Sequence, residues 1–342
     1  MQRPPREIST NRLTLRPPAR GDAALWRGLG AAPGALPVAW GSLEDCVGRW
    51  ERTGFDFGIM QENSTGAGVG IGGIRHADGD TLTLAYRVSD EVRGRGLGTE
   101  AGRAWTAHAL EWLPPLPLIA PLSGQDPASV RIAVGSGLEP ISAQTWSGAL
   151  PAVAGATCYV APRADTPTWL DPATRSSVLD LWCSVNDAGG AVGFLPGAPR
   201  HDVLATLTMH EDAMAAGTTT AVLLRAPDAT VVAMGFLVAG HNPLLSHTRT
   251  AYRVMTDPSR RGRNLGRLLM AAMHRVAREQ GVEVVVLDVR SGLGTTGFYE
   301  GCGYVEVGRV PGTIRVAPGD DRDSVIMARR LDGKPMVADG RA

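Results

Sequence analysis

The chain has 342 residues, about two domains' worth at roughly 150 residues each, with 44% hydrophobic and 20% charged residues, ordinary for a soluble globular protein. Lys+Arg and Asp+Glu both number 34, which excludes a net charge that would draw nucleic acid or an anionic membrane across the whole surface. The opening MQRPPREIST lacks the apolar core of a signal peptide, no stretch approaches a membrane span, and Cys46, Cys158, Cys183 and Cys302 lie too far apart for a CxxC pair. The reading is a cytoplasmic protein with reduced thiols, no metal and no membrane partner.

In chain order, the patterning predicts a strand at 12–16, a helix at 22–29, strands at 55–61, 69–75 and 81–88, and a helix at 99–112 that stops at Pro114-Pro115. An Ala/Gly/Pro-rich stretch follows at 148–168, and CYVAPRA at 158–164 reads as the opening strand of a second domain. Helices are expected at 172–184 and 202–216, strands at 221–225, 231–238 and 250–256, a helix at 266–280 ending at Gly281, and a strand at 282–288. Strands mixed with helices in each half imply an α/β or α+β layer fold. The expected domains are 1–155 and 156–332, with a tail at 333–342.

The chain repeats itself. AYRVSDEVRGRGLG at 85–98 and AYRVMTDPSRRGRNLG at 251–266 share the order strand, Gly/Arg-rich turn, helix, nearly half a chain length apart. Such a turn aims several backbone N–H groups at one spot beside the positive end of a helix dipole. Glycines allow close approach and positive φ, and arginines add charge-assisted bonds to a diphosphate. The first cradle is Arg93, Gly94, Arg95, Gly96, Leu97 and Gly98, flanked by Val88 and Thr99. The second is Arg261, Gly262, Arg263, Asn264, Leu265 and Gly266, followed by Arg267, with asparagine standing where the first has its middle glycine. Asparagine tolerates left-handed backbone better than most residues. A kinase-type P-loop would need a lysine and a Ser/Thr after the glycines, and a dinucleotide fingerprint would need other spacing after an early strand. A structural turn with exposed arginines is the remaining alternative.

The two turns resemble the signature of the GNAT acyltransferases, R/Q-x-x-G-x-G/A between the fourth strand and the next helix. Arg93 to Gly98 matches it fully, and Arg261 to Gly266 matches except at Asn264. The resemblance implies that backbone amides hold the pyrophosphate of acetyl-CoA, and it extends over both halves. The whole chain looks like the tandem GNAT proteins of actinomycete antibiotic gene clusters, including the clavulanic acid one. TNRLTLRPP at 10–18 and ASVRIAVGSGLEP at 128–140 make the first half similar to ribosomal-protein N-terminal acetyltransferases. It departs from them at Thr83, where that branch often has glutamate, and at Asp126, where asparagine is usual, and it has no tyrosine proton donor after the helix. The second half is similar to acetyltransferases of the tabtoxin-resistance type through GGAVGF at 189–194, VLDVRSG at 286–292 and GFYEGCGYVEVGRVPG at 297–312. In that branch the matching aspartate and tyrosine, here Asp288 and Tyr299, are implicated in catalysis.

Amine acylation needs a base for the ammonium proton, a polarised carbonyl and a proton for the departing thiolate. A phenol at Tyr299, in a helix at 295–302, suits the last role; the alternative is an aromatic packed beside Phe298. Asp288, placed at the end of strand VEVVVLD, suits the first; the alternative is a cap for the next turn. An N–H around Met255 suits the carbonyl. His201, His210, His241 and His247 read as surface histidines, and Asp202, Glu211 and Asp212 as a solvated acidic helix face. The expectation is a catalytic C-terminal domain acting on a small-molecule amine, an antibiotic or its precursor, and an N-terminal domain that binds acyl-CoA for structural or regulatory reasons. Two other readings stay open: a protein N-terminal acetyltransferase working through the first domain, and a non-enzymatic CoA-binding regulator. The chain is expected to be a monomer or a homodimer.

Overall fold

A computed structural model describes residues 4–30, 40–77, 80–123, 126–141 and 156–336. The chain divides into two compact units that part between Arg163 and Ala164, with short segments near 226–228 and 262–264 grouped with the first.

The first unit runs β1 (Ile8–Ser9), β2 (Leu13–Arg16), α1 (Ala23–Gly30), α2 (Leu43–Thr53), β3 (Phe57–Glu62), β4 (Gly68–His76), β5 (Leu82–Val88), α3 (Leu97–Trp112), β6 (Leu118–Ser123), α4 (Pro127–Gly135), β7 (Glu139–Pro140) and β8 (Ala156–Val160). Its strands form one mixed sheet in the order β1-β2-β3-β4-β5-β6-β8-β7. The strands bury both faces by alternation. Met60, Ile74, Leu84 and Tyr86 face a core shared with Leu97, Ala101 and Trp105 of α3. Ile59, Ile71 and Ala85 face a second core closed by Trp26 of α1, Trp40, and Leu43 and Cys46 of α2. Capping sets the helix starts: Ser42 accepts from Asp45 N, and Asp126 accepts from Ala128 N and Ser129 N ahead of Pro127. Asp126, the departure noted above, is thus a helix cap.

The second unit runs β9 (Arg163–Asp165), α5 (Pro172–Asp187), α6 (Arg200–Ala215), β10 (Thr219–Arg225), β11 (Val231–Ala239), β12 (Thr248–Thr256), α7 (Leu265–Glu279), β13 (Val284–Arg290), α8 (Thr295–Glu300), β14 (Val305–Ala317) and β15 (Asp320–Arg330). The sheet order is β14-β15-β13-β12-β11-β10-β9. Read from the other end, this is the connectivity of β2 to β8. In each unit a run of antiparallel strands leads to one parallel neighbour, and a hairpin partner is inserted beside it. Ala221, Leu223, Val231, Met234 and Phe236 pack under α5 and α6 with Trp182. On α7, Leu268, Leu269, Ala272 and Met273 are buried on the strength of its strong amphipathic pattern.

The architecture is therefore two α+β domains, each a mixed sheet flanked by helices. One expectation about the chain's division needs correction. The stretch at 158–164 does not open the second domain: Ala156–Val160 pairs antiparallel with β6, from Ala156↔Ser123 to Val160↔Ile119, and completes the first sheet. The sheets part between Val160 and Arg163, beyond the expected boundary at residue 155, which itself lies outside the described residues, as do residues 337–342 of the expected tail. Among the described residues no helix is long and apolar enough to cross a membrane, and no cluster of three or more His, Cys, Asp or Glu is placed to hold a metal ion.

Candidate active site

Each Gly/Arg turn lies where the sequence puts it, between a central strand and the helix that follows: β5 to α3, and β12 to α7. The glycines have different tasks. Gly94 and Gly262 take left-handed φ of 79° and 80°, a conformation that side chains disfavour. Gly96 does the same at 78° as the residue before α3, and Asn264 reproduces it at 63° before α7. The asparagine cradle therefore has the backbone of the glycine cradle. Gly98 and Gly266 are packing glycines. A Cβ at Gly98 would lie 2.7 Å from Ile132 Cδ1 of α4 and 3.2 Å from Val88, and one at Gly266 would lie 3.0 Å from Phe298 of α8. Leu97 and Leu265 point into the cores, so their contribution to a ligand is main chain. Thr99 packs beside Gly135 and Arg267 beside Gly301.

The cradle arginines are engaged differently. Arg95 is paired with Glu62, and Arg93 with Asp90 at 2.7 Å on the surface. Arg12 donates to the Arg95 carbonyl at 2.8 Å. Arg261 instead lines a cleft in the second domain. Backbone geometry yields a test. Asn264→Gly is expected to keep the C-terminal site's CoA affinity within about threefold, whereas Asn264→Val, β-branched at positive φ, is expected to weaken it at least about tenfold. Calorimetric titration with CoA checks this; equal affinity in all three proteins removes the role assigned to the left-handed turn.

That cleft has a simple structural origin. β12 and β13 pair in parallel only from Thr248↔Val284 to Thr250↔Val286. β12 then continues to Thr256 and β13 to Arg290 without pairing to each other. The opening holds about 380 Å³ and is walled by residues 254–256, 288–290 and 188–192, together with Arg261 and Tyr299. The fold thus gathers Met255, Arg261, Asp288 and Tyr299, far apart in sequence, around one space. In the first domain the parallel pair is shorter still, Leu82↔Leu118 and Thr83↔Ile119. There Tyr86 is buried and donates its hydroxyl to Ser129 O of α4 at 2.8 Å. Thr83 is buried as well.

Tyr299 sits on α8, half-buried, with its ring edge-on to Phe298 (5.0 Å) and Tyr304 (5.9 Å). Its hydroxyl has no hydrogen-bond partner among the described residues. Burial, with a smaller contribution from Cys302, raises its pKa above the ordinary phenol value. The ring is packed beside Phe298, as the second alternative has it, and it also lines the cleft. Asp288 differs from expectation. It does not end its strand, which continues to Arg290, and it is exposed to the cleft rather than buried. Its Oδ1 accepts from Ser324 Oγ of β15 at 3.3 Å, so it caps no turn.

One histidine was misread. His210 lies on α6, not in a loop, stacked on Phe236 at 4.1 Å and 6.0 Å from Trp182. Burial, helped by Arg253, holds its pKa down to about 4, so it is neutral at physiological pH. Periodicity could have found it, since His210 follows the buried Leu207 by one helical step. His201 is also on α6 but exposed, and His241 and His247 are exposed in a loop. Glu211 pairs with Arg175 of α5 at 2.9 Å, which makes it a helix–helix tie rather than a free acidic face.

Comparison with known proteins identifies the family. Residues 12–139 match a family model described as an acetyltransferase (GNAT) domain, and residues 220–306 match a second model of the same description. The chain is similar to the solved acetyltransferase from Agrobacterium tumefaciens, with 26% identity over 45% of this chain and 92% of that one (TM-score 0.39). It is also similar to the ribosomal-protein-S18-alanine N-acetyltransferase from Escherichia coli, at 15% identity over 53% and 99% (TM-score 0.39). A protein from Salmonella typhimurium assigned to the acetyltransferases, solved with its cofactor acetyl-CoA, gives 16% identity over 53% and 99% (TM-score 0.42). Acetyl-CoA is the cosubstrate typical of this family, and both left-handed turns fit a diphosphate. The chain is a tandem of two GNAT-type N-acetyltransferase domains.

Proposed function

We propose that the C-terminal domain is the catalytic half and moves an acetyl group from acetyl-CoA to the amine of a small molecule. The observation that carries this reading is the splay cleft of the second sheet, which is lined at once by a cradle arginine, a strand backbone, a carboxylate and a phenol. Bound acetyl-CoA supplies an activated thioester. Around it, the turn at 261–266 holds the diphosphate and the β12 main chain beside Met255, at Val254 or Thr256, whose N–H groups alternate away from β11, orients the carbonyl by an N–H. Asp288 takes a proton from the incoming ammonium, directly or through water, so that the free amine attacks. Tyr299 gives its proton to the sulfur as the C–S bond breaks. A volume of about 380 Å³ suits a thioester end and a compact acceptor. The resemblance to tandem proteins of antibiotic clusters makes an antibiotic or a precursor the acceptor to try first.

The N-terminal domain is assigned acyl-CoA binding without transfer. Its cradle has the same left-handed turns, but Tyr86 is tied to Ser129, Thr83 is buried, and no tyrosine occurs between Trp112 and Ala156. Thiol release by the full chain is the test, using acetyl-CoA with a panel of small amines and a panel of peptides bearing free N-termini. Turnover is expected with small amines only, and Asp288→Asn is expected to lower kcat/KM at least about tenfold near pH 7, with partial recovery as pH approaches the amine's own pKa. Turnover confined to peptides, or an Asp288→Asn protein with unchanged rate and pH profile, overturns the assignment.

A further inference from the structure

Arg253 is an anomaly in the second domain. It occupies a bulge in β12: Met234 pairs with Met255 and Phe236 with Tyr252, so β12 carries one residue more than β11 over this interval. Its φ is 53°, a left-handed conformation that costs a non-glycine residue about 1–2 kcal/mol. The bulge turns the side chain towards α5 and α6. Its guanidinium carbon lies 5.5 Å from the Trp182 ring. It also lies flush on Gly193, where a Cβ would come within 2.1 Å of Nη1. Gly193 belongs to the GGAVGF segment, and its close approach to Arg253 accounts for a glycine there.

The guanidinium has no ion pair and no hydrogen bond among the described residues, and its Nε is buried without a partner. Arg225 and Arg175 of this domain, by contrast, are paired, with Asp165 at 2.7 Å and with Glu211 at 2.9 Å. His210, the nearest titratable neighbour in the aromatic cluster, is neutral and supplies no counter-charge. Burying a guanidinium donor without a partner is costly, and groups left so are commonly completed by a ligand. Arg253 and Gly193 do not themselves line the cleft, but each is one residue along the chain from its wall, beside 254–256 and 188–192 respectively.

We propose that Arg253 is an acceptor-binding residue, whose planar fork takes a carboxylate of the acceptor. This rests on the reading of the C-terminal domain as the acyltransferase and narrows its substrates to amines that also bear a carboxylate, such as amino acids and their analogues. Trp182 and Gly193 hold the fork in place, and the acceptor's amine reaches the cleft at Asp288.

Saturation-transfer NMR on the full chain with CoA tests the proposal. The probes are phenylalanine, leucine, lysine and glutamate, each against its α-amide. The wild type is expected to favour the acids over the amides at least fivefold, and Arg253→Gln to erase that preference. Arg253→Lys, which keeps the charge and loses the fork, is expected to retain a preference reduced at least threefold. The comparison in wild type needs no variant, so a poorly folded substitution does not affect it. Absence of an acid preference in wild type, or its survival in Arg253→Gln, overturns the proposal. Thiol release separates this from the parent reading. Acids that bind selectively yet are never acetylated count against acetyl transfer and leave the anion site standing. Amides acetylated as fast as acids count against the anion site and leave acetyl transfer standing.

Discussion

Tyr299→Phe is expected to lower kcat for acetyl transfer at least about tenfold, rising to the roughly 10²–10⁴-fold of lost general acid catalysis if thiolate departure limits the rate. CoA affinity should change by less than about twofold, because the substitution removes one oxygen and leaves the ring between Phe298 and Tyr304. The scaffold behind that ring is well fixed. Arg329 Nη1 donates to His274 Nδ1 at 2.7 Å, which leaves the proton on Nε2 to donate to the Tyr304 hydroxyl at 2.9 Å. Tyr304 N–H in turn donates to Tyr299 O at 3.0 Å. The pH dependence follows from burial. With its pKa raised above 10, the phenol keeps its proton across neutral and mildly alkaline solution. The wild-type kcat should therefore show no fall from this group up to about pH 10. An unchanged kcat in Tyr299→Phe, or a fall between pH 8 and 10 that the variant abolishes, removes the assignment.

Much of this site is legible in the sequence because its demands are local. Left-handed backbone admits few residue types, so the turns announce themselves through Gly94, Gly96, Gly262 and Asn264. The half-length repeat is equally visible, yet its most conspicuous part misleads. AYRV begins both copies, but Arg93 follows Val88 by five residues and Arg261 follows Val254 by seven. Counted back from the cradles, Met255 corresponds to Arg87, whose guanidinium donates to Leu29 O at 2.8 Å. β12 carries the bulge at Arg253, while β4 and β5 pair from Gly70↔Val88 to His76↔Leu82 without interruption. A bulge is a property of the ladder, and a single strand's sequence does not contain its partner.

The other misreadings have the same cause. Residues 156–160 are an apolar strand whichever sheet receives them, and only the pairing with β6 decides. Asp288 looked like a strand end because the apolar run stops there. The strand continues because β15 pairs with it through Val289↔Val325 and Arg290↔Ser324. The cleft itself is nonlocal, since it exists where two parallel strands cease to pair. Nothing in either strand's composition marks Thr250 as the last paired residue.

Native mass spectrometry is expected to find two CoA molecules per chain, because both turns have the same left-handed backbone. Arg261→Glu and Arg93→Glu should each remove one. Each substitution replaces a charge-assisted bond of about 1.5–3 kcal/mol with a repulsion at the diphosphate, so a loss of at least about 100-fold in affinity is expected where the arginine reaches the ligand. The two arginines are not equivalent. Arg261 lines the cleft, and Arg261→Glu should abolish acetyl transfer together with its CoA. Arg93 is two-thirds exposed and shares its charge with Asp90, so Arg93→Glu should remove the other CoA and leave turnover nearly intact. One CoA lost only with Arg93→Glu would mean that the Asn264 turn does not hold the diphosphate despite its backbone. The first domain would then be the CoA-binding half, and a CoA-binding regulator would account for the chain better than an acyltransferase.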